Sequence, residues 1–360
     1  MPLGFEPASA REGARTRAAN RWSARNSGMV AMTPSLSVLG VGVWLPPAHS
    51  VRERVIAAGG DPDGYESWDH VCIAEAEDHP STMAAAALDR ALSEAQIPKS
   101  ELRLVISAGV SRDYMPSWSM AAEVMRLHDL PSTCIGLDVT LGCVGLISAL
   151  NLALGWLSLE GGGFAAIVGA ERWAHTVDRK SAATKALWAH ADGASAVIVG
   201  LNTQGRSLAE FQGATFASNS EYNGLILVKY GGTRFPEPPP GESAFARTLR
   251  PVPPREIWQA FSTGYERAIA ALHQRFDFVA HRLVCNQTSP KIVRMIGELA
   301  AVPEDRICVT AQATGHVGSA DLMLALRGLI DHGQVDGPIV LASSTPYAFA
   351  AGLLLPPRAP

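Results

Sequence analysis

Residues 144–157 are apolar almost all the way round a helix. Such a helix cannot keep one face in water. It must be buried on every side, so its fold has to supply covering layers around it. The flanking sequence fits that demand. Short β-branched runs at 36–43, 102–107, 134–138, 164–169 and 194–200 alternate with Ala- and Leu-rich stretches. Of these, 81–95 and 117–127 read as helices, the first with Ser81 as its N-cap. Strands alternating with helices imply parallel pairing covered on both faces. The rhythm returns less sharply downstream. Strands are expected at 225–228, 282–285, 307–310, 338–343 and 348–355, helices at 257–275, 291–299 and 319–330, and an exposed loop at 236–241. The expectation is an internal duplication, with 34–203 and 204–360 as its halves.

Residues 1–33 differ in character. They are rich in Arg, Ala and Ser, are nearly free of β-branched residues, and lack the apolar core of a secretory signal. A disordered extension is expected there, or a start codon assigned too early, with Met29 and Met32 just before the first strand.

Composition narrows the function classes. With 360 residues, 47% hydrophobic and 18% charged, the chain can bury a large core. A net charge of −4 gives no basic stripe for nucleic acid. An acidic carrier protein would need only a local basic patch. The five cysteines form no C-x-x-C pair and are odd in number, which speaks against a disulfide scaffold and for a reducing cytoplasm. No run approaches the roughly eighteen consecutive apolar residues of a membrane span, so no membrane association is expected. Neither a metal nor a bound cofactor is expected.

One cysteine stands apart. Cys143 lies in Asp138-Val139-Thr140-Leu141-Gly142-Cys143-Val144-Gly145, where a strand ends, a glycine allows a tight turn and the buried helix begins. A turn of this kind exposes a nucleophile at the carboxyl end of a strand. The helix N-terminus favours thiolate over thiol and lowers a thiol from about 8.5. Its free N–H groups could hold an oxyanion.

This segment resembles the active-site segment of the ketoacyl-ACP synthase III branch of the thiolase superfamily. Other landmarks follow in the family's order: Val38-Leu39-Gly40-Val41-Gly42-Val43-Trp44-Leu45-Pro46, Gly169-Ala170-Glu171, Ala191-Asp192-Gly193-Ala194-Ser195-Ala196 and Tyr230-Gly231-Gly232. The resemblance spans roughly 36–356. It implies the thiolase fold, an α/β protein of two duplicated halves in five layers, αβαβα. It also implies a homodimer formed through a strand near the cysteine segment, and acyl-CoA or acyl-ACP as substrate.

The sequence departs from the family where the family keeps its His and Asn. The first motif reads Asn286-Gln287-Thr288-Ser289, with Asn in place of His. The second reads Gly315-His316-Val317-Gly318-Ser319-Ala320-Asp321, with His in place of Asn. The latter form resembles a divergent subgroup that loads starter units or transfers acyl groups in natural-product pathways. That resemblance carries triad roles onto His316 and Asp321, with Asn286 as the remaining partner of Cys143.

Two further departures matter. The family's early CoA-binding Arg has no counterpart in residues 71–77, although Trp68 remains as a candidate to stack on an adenine. The closing Gly-rich turn is replaced by Ser343-Ser344-Thr345-Pro346-Tyr347. Pro346 has no N–H, which leaves Thr345 as candidate oxyanion donor. His190, beside Ala191-Asp192, reads as a packed or surface histidine before a pocket residue.

The expected chemistry is attack of a Cys143 thiolate on a thioester, followed by transfer of the acyl group to a small-molecule acceptor in polyketide or related secondary metabolism. An imidazole would act as base and a carboxylate would steady it. The alternatives are a condensing enzyme forming a carbon–carbon bond, and a non-catalytic partner subunit of a heterodimer.

Overall fold

The computed structural model describes residues 34–115, 117–203, 206–244 and 246–357. The extension expected at 1–33 lies outside the described residues. The first strands and helices are β1 (Leu36–Trp44), β2 (Ala48–Ser50), α1 (Val51–Ala57), β3 (His70–Cys72), α2 (Pro80–Ala95), β4 (Leu102–Ala108), α3 (Met120–Leu127) and β5 (Ile135–Val139). Then come α4 (Gly145–Leu159), β6 (Gly163–Arg172), β7 (Asp192–Leu201), β8 (Ala209–Ser218), β9 (Ile226–Val228), β10 (Arg247–Leu249) and α5 (Pro254–Arg275). The chain closes with β11 (Arg282–Cys285), α6 (Pro290–Leu299), β12 (Ile307–Cys308), α7 (Ala311–Thr314), α8 (Asp321–Asp331), β13 (Ile339–Thr345) and β14 (Ala348–Leu355).

Ten strands form one sheet in the order β12-β11-β13-β14-β8-β1-β7-β6-β4-β5. Read from the β1/β8 seam outward, both sides repeat one order. The side beginning at β1 runs β1-β7-β6-β4-β5, and the other runs β8-β14-β13-β11-β12. Numbering strands by sequence within each half gives 1-5-4-2-3 twice, which is the duplicated topology of the thiolase fold. The seam is short, with Leu36 to Val38 pairing antiparallel to Ala209 to Phe211.

Packing defines five layers. α2 and α3 cover the outer face of the first set of strands. α5 and α6 cover the outer face of the second. Between the two lie α4 and α8, whose Leu146, Ile147, Leu150, Leu322 and Leu326 share one core with strands of both halves. This double covering explains the apolarity of the central helix. The stretch Gly142–Leu159 is long and apolar enough to cross a membrane by length and composition, but 67% of it is buried inside the protein. That revises the expectation that no such stretch exists.

Several local expectations are also corrected. Pairing is not parallel throughout: β4 runs parallel to β5 and β6, but β6, β7 and β1 are antiparallel to one another in turn. β13 and β14 form an antiparallel hairpin. Ser81 does not cap α2. The helix begins at Pro80, His79 donates its backbone N–H to Thr82 Oγ1 (3.0 Å), and Ser81 Oγ donates to Asp113 (2.5 Å). α3 starts at Met120 with Ser119 as the cap that accepts from Ala122 N. α4 is not covered all round, since Leu152 and Leu159 on it are exposed.

Candidate active site

Cys143 sits in a single 3₁₀ turn, Gly142–Val144, between β5 and α4. Gly142 makes the turn with φ +55°, in the left-handed region that favours glycine. A side chain there would also collide with Thr345, whose Cγ2 lies 2.7 Å from the position a Cβ would take. Cys143 is 6% exposed, and its backbone carbonyl accepts a hydrogen bond from Ser343 Oγ (2.7 Å) on β13. The turn is therefore anchored by the second half of the chain.

His316 reaches the sulfur from that second half. Its Nε2 is 3.5 Å from Cys143 Sγ, and its Nδ1 is 2.5 Å from Asp321 Oδ2. The backbone of His316 is clamped to the first half: His316 N donates to Ala189 O (2.8 Å) and Ala191 N donates to His316 O (2.9 Å). Asp321 opens α8 and is fully buried. It accepts from Val317 N and from Gln287 N, both at 2.7 Å. Burial alone would push His316 down. The charge of Asp321 and of the sulfur, with the hydrogen bonds to both, outweighs burial and raises its pKa to about 10. The charged form of the imidazole is thus favoured, set between the Asp321 carboxylate and the Cys143 sulfur. Three of the expected catalytic residues, Cys143, His316 and Asp321, form one connected chain.

Asn286 does not join it. Its Oδ1 accepts from Tyr265 OH (2.6 Å) and Ser344 N (3.1 Å), while its Nδ2 donates to Ser344 O (3.3 Å). The amide thus fixes the end of β13 to α5. Among the described residues no hydrogen bond links it to Cys143. Neighbouring Gln287 is just as occupied, its Oε1 accepting from Thr310 N and Ala311 N. Thr345 does lie beside the cysteine turn, and its Oγ1 accepts from Ala348 N (3.1 Å) within the hairpin. Trp68 is corrected outright. It is 4% exposed, packs in the outer core of the second half, and donates its indole N–H to Gln287 O (2.6 Å). It presents no face to an adenine.

Sequence reasoning missed a second group around His316. His190 is buried, and its ring centroid lies 5.0 Å from that of His316, edge to face. Trp173 packs on both, at 5.1 Å from His190 and 5.4 Å from His316. Arg247 from β10 covers Trp173 at 4.2 Å and donates to His190 Nδ1 (2.8 Å). A guanidinium can only donate, so His190 carries its proton on Nε2. Burial, then the charges of His316, Arg247 and Arg179, hold His190 well below the ordinary histidine range, in the neutral form. Behind the cysteine, Glu171 is fully buried and accepts from Val110 N, Ser111 N and Ser111 Oγ. Burial pushes that carboxyl upward. In the sequence His190 stood out as a single histidine, and Glu171 only as part of the Gly169-Ala170-Glu171 landmark. Arg247 sits in no motif, and nothing local marks it. Among the described residues no group of three or more His, Cys, Asp or Glu side chains could hold a metal ion.

Fold and site together define a thiolase-fold protein with a buried Cys–His–Asp chain where the two halves meet. A family model described as 3-oxoacyl-[acyl-carrier-protein (ACP)] synthase III matches residues 137–217, the segment that carries Cys143. The β-ketoacyl-[acyl-carrier-protein] synthase III of Oleidesulfovibrio alaskensis is 26% identical over 291 residues, 79% of this chain and 80% of that protein. The synthase III of Aliarcobacter butzleri is 24% identical over 314 residues, 86% of each. Among solved structures, a variant of Xanthomonas campestris OleA shares the fold with a TM-score of 0.76 at 17% identity, over 90% of this chain and 99% of that one. FabH from Pseudomonas aeruginosa PAO1 does so with 0.74 at 19% identity, over 91% and 100%. The chain thus shares the thiolase fold with these structures and is similar to ketoacyl-ACP synthase III over most of its length, as the segment around Cys143 implied.

Proposed function

We propose that the chain is an acyltransferase that carries its acyl group as a thioester on Cys143. The observation that carries this reading is the contact of Cys143 Sγ with His316 Nε2 at 3.5 Å, with Asp321 at 2.5 Å on the far side of the ring. Sγ attacks the carbonyl carbon of an acyl-CoA or acyl-ACP thioester. The new Sγ–C bond forms as the donor's C–S bond breaks, and the departing thiolate takes the proton held on His316 Nε2. The neutral imidazole then accepts the proton of an incoming hydroxyl, amine or thiol, which receives the acyl group and frees the sulfur. A solved OleA relative with bound lauric acid and lauroyl-CoA, TM-score 0.75 at 16% identity and 90% of this chain, supports a CoA thioester as one donor class. All five cysteines are free, as a reducing cytoplasm would keep them.

The names of the matched synthases favour a second reading, condensation to a carbon–carbon bond. Family-type decarboxylation of a malonyl unit uses His and Asn donors around one oxyanion. Here one imidazole faces the sulfur and the amide of Asn286 is occupied by Tyr265 and Ser344. Purified protein incubated with a panel of acyl-CoA and acyl-ACP thioesters should gain the mass of one acyl group, mapped by digestion to the Cys143 peptide. Absence of any adduct on folded protein would sink the covalent reading and favour the partner-subunit one. Release of carbon dioxide from a malonyl donor, with a new carbon–carbon bond, would favour condensation.

We further infer a homodimer. β5 is an edge strand of the sheet, and it exposes Ile135 (48%) and Leu137 (38%), an apolar edge of the kind that a second copy covers. Light scattering should give a dimer, and Leu137→Arg should shift it to monomer. A wild type that is monomeric at micromolar concentration would refute this.

A further inference from the structure

We infer that Arg247, with Trp173, forms a carboxylate subsite beside the Cys143–His316 pair, and that the group it recognises is the free carboxylate of a dicarboxylic acyl donor. The inference deepens the acyl-enzyme reading and rests on it.

Arg247 is a buried cation whose acids stand off, since Glu171 and Asp192 act on it only through space. Arg247 is 9% exposed. Among the described residues no carboxylate oxygen lies within ion-pair distance of it, although many other arginines make such pairs or bond to carbonyls. Its described hydrogen bond goes to the neutral Nδ1 of His190, which leaves most of its five N–H groups for something else. Its flat face rests on the Trp173 ring at 4.2 Å. The indole N–H of Trp173 is itself buried and has no partner among the described residues. The indole N–H is thus a buried donor without an acceptor, beside a guanidinium with N–H groups that no described acceptor takes. Buried cations are costly unless paired, and an orphaned buried donor calls for an explanation.

Location says what the acceptor is attached to. Trp173 and His190 both pack on the ring of His316, and Nε2 of that ring touches Cys143 Sγ. Cys143 and Glu171 lie within electrostatic reach of the guanidinium. The subsite is therefore one ring away from the nucleophile. An anion there belongs to the acyl group on the sulfur or to the acceptor that attacks it, rather than to the distant phosphates of CoA. Arg is suited to a planar carboxylate because its fork can donate twice. A neutral acyl chain would leave the same donors buried and unpaired, and sites built for a polar group reject analogues that lack it.

The test compares donors matched in length. Acylation rates are read by intact mass with malonyl-CoA against butyryl-CoA, and succinyl-CoA against pentanoyl-CoA. Wild type should prefer one of the dicarboxylic donors by about a hundredfold or more. In Arg247→Gln the ratio should fall to near one, and in Arg247→Lys to an intermediate value. A second arm measures how free malonate and succinate, against malonamide, slow alkylation of Cys143 by iodoacetamide. Protection by the dicarboxylates without a donor preference would assign the carboxylate to the acceptor and overturn the donor assignment. Adducts from neutral donors at equal or greater rates, with no protection, would overturn the subsite while leaving the acyl-enzyme intact. No adduct from any donor would overturn both. The wild-type ratio decides even if the variants fail to fold.

Discussion

His316→Ala should slow acylation of Cys143 by about 10³-fold, the loss expected when a positioned acid–base group is removed. The pH profile should change with it. In the wild type the proton shared near the sulfur belongs to an imidazole whose pKa is raised to about 10 by Asp321 and Cys143 against the effect of burial. Acylation should therefore be nearly flat between pH 7 and 9. Without the imidazole that proton has no resident holder beside the sulfur, so the variant's rate should rise with pH where the wild type's is flat. Asp321→Asn should behave similarly but for a different reason, because Asp321 Oδ2 accepts both His316 Nδ1–H and Gln287 N–H. An amide there leaves the imidazole without its anionic support. Single-turnover acylation monitored by mass at several pH values checks all of this. A His316→Ala rate within tenfold of wild type at pH 7 would remove His316 from the mechanism.

The second large effect falls far from the chemistry. Gly42→Ala should destabilise the protein by about 3 kcal/mol, at the upper end for overpacking, and lower Tm by roughly 5 °C or more. β1 and α2 touch backbone to backbone at this point. A Cβ on Gly42 would stand 1.9 Å from Ala87 O and 2.7 Å from Ala91 N. Neither is the movable end of a side chain, so strand or helix must shift. The matched control is Gly155→Ala on α4, where a Cβ meets nothing within 4 Å. That change should be neutral or stabilising, by up to about 1 kcal/mol, through helix propensity alone. Equal melting temperatures for Gly42→Ala and wild type would show that the contact yields more easily than close packing allows.

The parts of the site legible in the sequence are those whose chemistry is written locally. Cys143 follows a glycine turn and opens an apolar helix, and His316 and Asp321 share one short segment, so spacing and family pattern were enough. Asn286 was misplaced because a sequence cannot show what an amide is already bonded to; Tyr265 and Ser344 lie 21 and 58 residues away. Arg247 and His190 meet across 57 residues through a strand pair and a loop, and no motif anticipates that. In the fold, β8 went unseen. Ala209–Ser218 reads Ala-Glu-Phe-Gln-Gly-Ala-Thr-Phe-Ala-Ser, with neither strict alternation nor β-branched enrichment. It is a strand because β1 and β14 flank it on both edges, a case of tertiary context deciding over local preference.

The contact between Cys143 and His316 also sets a timetable. The two residues are 173 positions apart, so on a ribosome the cysteine is made on the order of ten seconds or more before its base. The histidine is also held in place by the 189–191 segment of the first half, and the cysteine turn by Ser343 of the second. Neither half of the duplication holds the Cys143–His316 pair by itself. On the acyl-enzyme reading the sulfur is therefore completed as the last act of assembly, and its rate of acylation would gauge whether the two halves have closed on each other.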